Sequence, residues 1–201
     1  MNPSTPAIIG RDTIASADFL RLERVRYRDR RGQERDWEAV QRNRTPEAAV
    51  IIARTRPDDR IVLISQFRPA VGAECLEFPA GLIDPGETAA ESAVRELREE
   101  TGYHGNVVAV CPACASSAGL TGERLIPVLM DIDMNDERNR LPKTDFQDGE
   151  DIATWLVPLS GLQSFIEGQL AAGRVPDSRL LFYATAVQSA ITAKREETNH
   201  D

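Results

Sequence analysis

The sequence has 201 residues, of which 41% are hydrophobic, so the chain is long enough for one domain with a substantial core and an elaboration. Its 32 acidic side chains outnumber the 24 basic ones and give a formal net charge of −8, which argues against nucleic acid as the main partner because phosphate backbones require a basic face. No apolar run approaches the roughly 20 residues of a membrane helix, and the three cysteines are too few for a disulfide framework. We therefore expect a soluble cytoplasmic protein without a membrane partner.

The N-terminal third of the chain predicts strands after a short leader. Residues 1–12 are expected to be a loose leader. The strands are predicted at 19–27, 35–42, 48–55 and 60–67. The first two alternate apolar and charged residues, which is the period of a half-exposed strand. Turn-forming residues at 29–33 join them, so this region predicts an N-terminal β-hairpin.

The rest of the chain mixes strands and helices. Strands are predicted near 75–78, 106–114, 123–133 and 151–159, helices at 89–101, 161–172 and 178–194, and a polar loop at 134–150. Strands outnumber helices, which is typical of a mixed sheet covered by a few helices. The sequence therefore predicts an α+β fold, divided into an N-terminal β-hairpin region at 1–45 and a main domain at 46–201.

The first predicted helix has clear end signals. Thr88 with Glu91 three residues later is a capping box that starts the helix near Ala89, and Gly102 suits a left-handed C-cap. The side chains expected to pack on the sheet are Ala90, Ala93, Val94 and Leu97.

This helix also concentrates acidic side chains. Glu96, Glu99 and Glu100 share one face, where like charges repel one another. They lie in the C-terminal half, where the helix dipole disfavours negative charge. A solvated acidic face is one interpretation. The other is a divalent cation site, because convergent carboxylates are the ligands that a hard cation such as Mg²⁺ requires.

The stretch "GLIDPGETAAESAVRELREETGY" resembles the Nudix box. Its fixed positions are filled by Gly81, Glu87, Arg95, Glu96, Leu97, Glu99, Glu100, Gly102 and Tyr103. The resemblance implies a Nudix hydrolase, an α/β/α sandwich that uses Mg²⁺, or Mn²⁺ in its place, to cleave a nucleoside diphosphate linked to another group. Bound metal would then explain why the acidic side chains tolerate one another.

The segments "DWEAVQR", "QFRPAVGAECLEFPAGLID" and "DGE" resemble the ADP-ribose pyrophosphatase, or ADP-sugar diphosphatase, branch. In this branch the carbonyl of Ala80 with Glu96 and Glu100 is implied to hold the metal. Glu150 is implied to approach the metal and the attacking water as the proton acceptor. Glu99 would be a metal-binding or water-orienting partner.

The same resemblance implies substrate contacts. The matched residues are Phe19, Trp37, Glu38, Arg42, Arg68, Leu82 and Ser117. Arg42 and Arg68 would contact the diphosphate and Trp37 would stack on the adenine. Ala118 stands where the branch often has a proline, so other ADP-sugars or nucleoside diphosphate sugars remain open as substrates.

The branch also implies a homodimer in which the N-terminal region helps to enclose the base. Two alternative functions are a nucleotide-pool sanitiser that acts on damaged nucleoside diphosphates or triphosphates, and an inactive Nudix module that senses nucleotides. The complete set of box acids disfavours the inactive module.

Overall fold

A computed structural model of the protein describes residues 5–146 and 151–198, with side chains to residue 193. The strands are β1 (Ala7–Ser16), β2 (Leu20–Arg28), β3 (Glu34–Arg42), β4 (Glu47–Arg56), β5 (Arg60–Arg68), β6 (Ala73–Glu77), β7 (Ala80–Leu82), β8 (Asn106–Val110), β9 (Cys114–Ala115), β10 (Arg124–Asp133), β11 (Ile152–Pro158) and β12 (Val175–Pro176). The helices are α1 (Ala89–Thr101), α2 (Leu162–Ala171) and α3 (Ser178–Thr198), with short 3₁₀ helices at Glu137–Asn139 and Leu159–Gly161. None of the helices in these ranges combines the length and the apolar character needed to cross a membrane.

The N-terminal region is an antiparallel sheet with the order β1-β2-β3. The prediction of a loose leader at 1–12 was wrong, because Ala7–Ser16 forms a third strand beside the predicted hairpin. Nearly every residue of this strand is exposed. It therefore lacks the one-sided hydrophobic alternation that identifies a half-buried strand in a sequence, and its position is set by backbone pairing with β2.

The main sheet is mixed, with the order β12-β6-β5-β4-β10-β8 and with β7, β9 and β11 paired beside it. β4 and β10 run parallel over their whole length. β4 meets β5 only at Arg54 and Ile61, and β4 pairs instead with the short strand β7. The single strand predicted at 106–114 is divided into β8 and β9, since Pro112 between them has no N–H to donate to a ladder.

Two hydrophobic clusters cover the two faces of this sheet, which makes an α/β/α sandwich. On one face, Ala93 and Leu97 of α1 are fully buried. On the other face, α2 and α3 bury Leu162, Ile166 and Leu180. The expectation that Val94 packs on the sheet was wrong, because Val94 lies on the outer side of α1 and is 44% exposed.

The two sheets meet along β3 and the loop 117–123. The backbone N–H of Val40 donates to the carbonyl of Leu120 at 2.9 Å, and the indole N–H of Trp37 donates to the carbonyl of Gly119 at 3.2 Å. An ion pair between Arg42 and Glu123 adds a third contact. The loop thus joins the N-terminal sheet to the main domain.

Candidate active site

Helix α1 begins and ends where its cap residues predict. The hydroxyl of Thr88 accepts a hydrogen bond from the N–H of Glu91, whose carboxylate accepts from the N–H of Thr88 in return. At the other end, Gly102 has φ = 74° and closes the helix with a bond to the carbonyl of Arg98. A Cβ on Gly102 would lie 2.5 Å from the backbone nitrogen of Lys143, so the glycine also makes room for the following loop.

The acidic face of α1 lies against β7. An added Cβ on Gly81 would fall 1.9 Å from the side chain of Glu96, so this position must be glycine for the carboxylate to lie across the strand. One turn further along the helix, Glu100 accepts a hydrogen bond of 3.0 Å from the N–H of Ala80. Glu100 is only 5% exposed. The structure therefore places the side chains of Glu96 and Glu100 against Gly81 and Ala80 of β7. Their role as metal ligands stays a prediction.

Arg95 is the cation at the centre of this face. Its guanidinium contacts Glu87 at 2.9 Å, Glu96 at 2.6 Å and Glu99 at 3.2 Å. It also donates to the carbonyl of Leu82 at 3.2 Å. The hydrogen bond from Arg95 outweighs the effect of burial and holds the pKa of Glu87 below its ordinary value. In the absence of metal, one arginine therefore offsets much of the repulsion between the box acids.

The donor set at this junction fits a hard divalent cation. The carboxylates of Glu96 and Glu100 and the carbonyl of Ala80 offer oxygen ligands, which such cations prefer. Within residues 5–146 and 151–193, no three His, Cys, Asp or Glu side chains are grouped closely enough to form a metal centre by themselves. Glu150, the predicted proton acceptor, lies outside the described residues.

Arg68, at the end of β5, lies near this junction. It forms a bidentate pair with Glu77, with contacts of 3.0 Å and 2.6 Å. Glu77 is buried, and the charge of Glu100 is close enough to favour protonated Arg68 as well. Sequence reasoning assigned no role to Glu77, although one acid between Leu76 and Phe78 in an apolar strand is a signal of a buried partner.

Arg42 and Trp37, the other main substrate candidates, lie at the sheet junction. Arg42 binds Glu123 through Nε. Trp37 is 50% exposed and lines a cleft of about 370 Å³ together with Ala118. Residues of β1, β2, β3 and the 117–123 loop form this cleft, and the glutamates of α1 are not among its lining residues.

The remaining candidates have varied positions. Phe19 is 76% exposed and precedes β2. Glu38 is exposed on β3 opposite Arg24. The carbonyl of Ser117 accepts from the N–H groups of Leu120 and Thr121 in the junction loop. Leu82 packs its side chain against the core. The roles given to these four residues stay predictions.

Known proteins share this combination of sequence and fold. The sequence profile of the NUDIX domain matches residues 45–176. The ADP-sugar pyrophosphatase of Mus musculus is 31% identical over 197 residues, which cover 94% of this chain and 90% of the relative. The ADP-ribose pyrophosphatase of Saccharomyces cerevisiae is 35% identical over 149 residues, which cover 70% and 64%. The crystal structure of an ADP compounds hydrolase shares the fold, with a TM-score of 0.70 at 22% identity over 96% of this chain and 98% of that chain. Since the box acids, the glycine that accommodates Glu96 and the profile match all fall on the same elements, the chain belongs to the Nudix hydrolase family.

Proposed function

We propose that this Nudix hydrolase cleaves the diphosphate of ADP-ribose, or of a related nucleoside diphosphate sugar, to AMP or another nucleoside monophosphate and a sugar phosphate. The observation that carries the proposal is the complete acidic face of α1, locked onto β7 by Glu96 and Glu100. The names of the relatives from Mus musculus and Saccharomyces cerevisiae support ADP-sugars as the substrate class.

In the proposed mechanism, Glu96, Glu100 and the carbonyl of Ala80 hold the metal. Bound Mg²⁺ would supply positive charge at the diphosphate oxygens and make water a better nucleophile. Glu150 takes the proton from the attacking water. The carboxylate of Glu99 already accepts hydrogen bonds from Arg95 and Arg98, which supports Glu99 as an orienting group and Glu150 as the acceptor.

Arginines meet the negative charge of the substrate. Arg68 is fixed by the buried carboxylate of Glu77, and the charge of Glu100 also favours its protonated form, so its fork is oriented before the substrate arrives. Arg42, fixed by Glu123, would contact the diphosphate from the N-terminal sheet. Trp37 would stack on the base, and its half-exposed ring beside an open cleft supports that role.

We further propose a homodimer that completes the base site. The Trp37 cleft is not lined by the glutamates of α1, so a second chain would bring the two parts of the site together. The outer edge of β1 pairs with no strand among the described residues, and three isoleucines near it are exposed: Ile8, Ile9 and Ile14. A free edge with apolar side chains favours association.

We propose a cytoplasmic location for the protein. The free thiols of the three cysteines support a reducing compartment.

A product assay tests the proposed reaction. Purified protein with Mg²⁺ is incubated with ADP-ribose, other nucleotide sugars and damaged nucleoside triphosphates, and the products are separated by chromatography. We expect AMP and ribose 5-phosphate from ADP-ribose, and loss of most of this turnover in a Glu96→Gln control. Turnover of damaged triphosphates alone would instead identify a pool sanitiser, and no turnover of any substrate would identify a sensing module.

A pair of variants tests the choice of proton acceptor. Loss of a general base lowers kcat by roughly 10²–10⁴-fold. We expect a loss of this size for Glu150→Gln and a smaller loss for Glu99→Gln. The reverse order would exchange the two roles without affecting the proposed reaction.

A further inference from the structure

A second cleft, of about 340 Å³, lies beside the Trp37 cleft and shares with it Arg11, Gln41 and Gly122. We call it the arginine cleft because five arginines line it: Arg11, Arg21, Arg42, Arg44 and Arg124. They come from β1, β2, β3, β10 and the segment between β3 and β4. Five separate parts of the chain therefore direct cationic side chains to one place.

One carboxylate, Glu23, lines the arginine cleft with them. Glu23 is buried and accepts hydrogen bonds from Arg21 at 2.7 Å and Arg11 at 2.9 Å. Although burial raises the pKa of Glu23, these two arginines hold it below its ordinary value. Glu23 is thus a charged partner that fixes two of the guanidinium groups, and its single charge is shared between them.

The other arginines of the cleft leave positive charge in excess. Arg42 pairs with Glu123 and Arg124 pairs with Glu47 at 2.6 Å. Arg44 is exposed and makes no hydrogen bond or ion pair with any residue that the structure describes. Even when the neighbouring acids Glu47 and Glu123 are counted with Glu23, carboxylates are fewer than guanidinium groups around the cleft.

This local excess stands against the overall charge of −8. Like charges brought together repel, and the repulsion is relieved when a mobile anion binds between them. Of the five arginines, the proposed reaction uses only Arg42 for the diphosphate. The cleft therefore carries more positive charge than the proposed diphosphate contact requires, and guanidinium groups match phosphate oxygens in geometry as well as in charge.

We propose that the arginine cleft is a binding site for a phosphate monoester, with Arg44 and Arg124 as its principal ligands. The side chain of Arg124 is 57% exposed and keeps N–H groups beyond the one that contacts Glu47. Because the cleft adjoins the Trp37 cleft, the group fits a substrate that carries an additional phosphate beside its diphosphate, such as an ADP-sugar phosphorylated on the ribose of the nucleoside. This assignment of substrate class rests on the proposed function. The binding of phosphate itself does not.

Direct binding is measured first, without turnover. The metal-free full-length protein is titrated with inorganic phosphate by calorimetry at low ionic strength, because salt screens exposed charges. We expect a Kd on the order of 1 mM, the affinity that a few charge-assisted hydrogen bonds provide. Arg44→Gln and Arg124→Gln should each raise the Kd by roughly tenfold. Arg44 has no described partner to lose, so its replacement should leave the fold intact.

The control is Arg28→Gln, because Arg28 is an exposed arginine at the far end of the same sheet, where its side chain pairs with Glu34. It should bind phosphate as the wild type does. The proposal is wrong if the wild type shows no binding at phosphate concentrations about ten times the expected Kd. It is also wrong if Arg44→Gln and Arg124→Gln bind phosphate as tightly as the control.

Turnover measurements then distinguish a phosphate group carried by the substrate from free inorganic phosphate. For a group carried by the substrate, ADP-ribose 2′-phosphate should have a higher kcat/KM than ADP-ribose, and Arg44→Gln should abolish that advantage while ADP-ribose turnover stays unchanged. For a free phosphate ligand, inorganic phosphate should change ADP-ribose turnover in the wild type and not in Arg44→Gln. If the enzyme cleaves neither compound, the proposed function fails while the binding result still decides the site.

Discussion

Replacement of Arg95 by glutamine should destabilise the protein far more than its position on the helix surface suggests. Arg95 contacts three carboxylates, on Glu87, Glu96 and Glu99, whose side chains are 17%, 12% and 16% exposed. Glutamine retains most of the side-chain volume but removes the charge and most of the N–H donors of the guanidinium group. The variant therefore leaves three largely buried acids without their shared cation.

The magnitude follows from how deeply these groups are buried. Breaking a fully buried ion pair costs about 3–5 kcal/mol, whereas an exposed pair contributes about 0–1 kcal/mol. Arg95 keeps a quarter of its side chain exposed, so we expect a loss of about 2–4 kcal/mol in the free energy of unfolding, between those limits. For a chain of this size, that lowers Tm by roughly 4–16 °C.

Arg98→Gln is the matched control, since Arg98 is on the same helix, its side chain is 47% exposed, and among the described residues that side chain makes one ion pair, of 3.3 Å, to Glu99. It should cost about 0.5 kcal/mol or less. Both variants are unfolded thermally and in urea with a chelator present, and unfolding is followed by circular dichroism. The measurement is then repeated with Mg²⁺ in place of the chelator. Mg²⁺ should restore part of the stability that Arg95→Gln loses, because metal neutralises the same acids. If the two variants lose equal stability, Arg95 is not the cation that holds the acidic face together.

The remaining predictions concern the metal ligand Glu96, the stacking of Trp37 on the adenine, and the dependence of stability on pH. Glu96→Gln should lose most turnover at saturating Mg²⁺ and keep its fold by circular dichroism; near wild-type kcat would exclude Glu96 as a metal ligand. Trp37→Ala should raise KM about tenfold, or ~1.4 kcal/mol, and change kcat less, because stacking holds the base and not the reacting phosphorus; steady-state kinetics would show an unaltered KM if the stacking role is wrong. The pKa of Glu87 is lowered in the folded state, chiefly by its hydrogen bond from Arg95. Its contribution to stability is therefore complete above the unfolded value of about 4.5 and is lost as the pH falls through and below that value; in urea unfolding across this range, Arg95→Gln should lose less stability with falling pH than the wild type.

Local sequence signals predicted the ends of α1, whereas some pairings between strands were missed. The ends of α1 follow from Thr88 and Gly102 alone, because capping is decided within one turn of the chain. By contrast, β1 buries no apolar face and is held by its pairing with β2. The pairing of Arg68 with Glu77 depends on β5 and β6 being antiparallel neighbours. This pairing was missed although the two residues are only nine positions apart, because the two strands were predicted without a pairing between them.

Two separate constraints require glycine at position 102: the backbone conformation at the end of α1 and the close approach of the following loop. The φ of 74° at Gly102 costs a residue with a side chain about 1–2 kcal/mol, and a Cβ there would also lie 2.5 Å from Lys143 and 2.7 Å from Pro142, on backbone atoms that cannot turn aside as a side chain can. A second mutation that moves the loop would leave the strained backbone, and one that relaxes the helix end would leave the clash. In a genetic selection that begins from Gly102→Ala, revertants should therefore restore the glycine codon itself, because no single change elsewhere in the chain removes both faults.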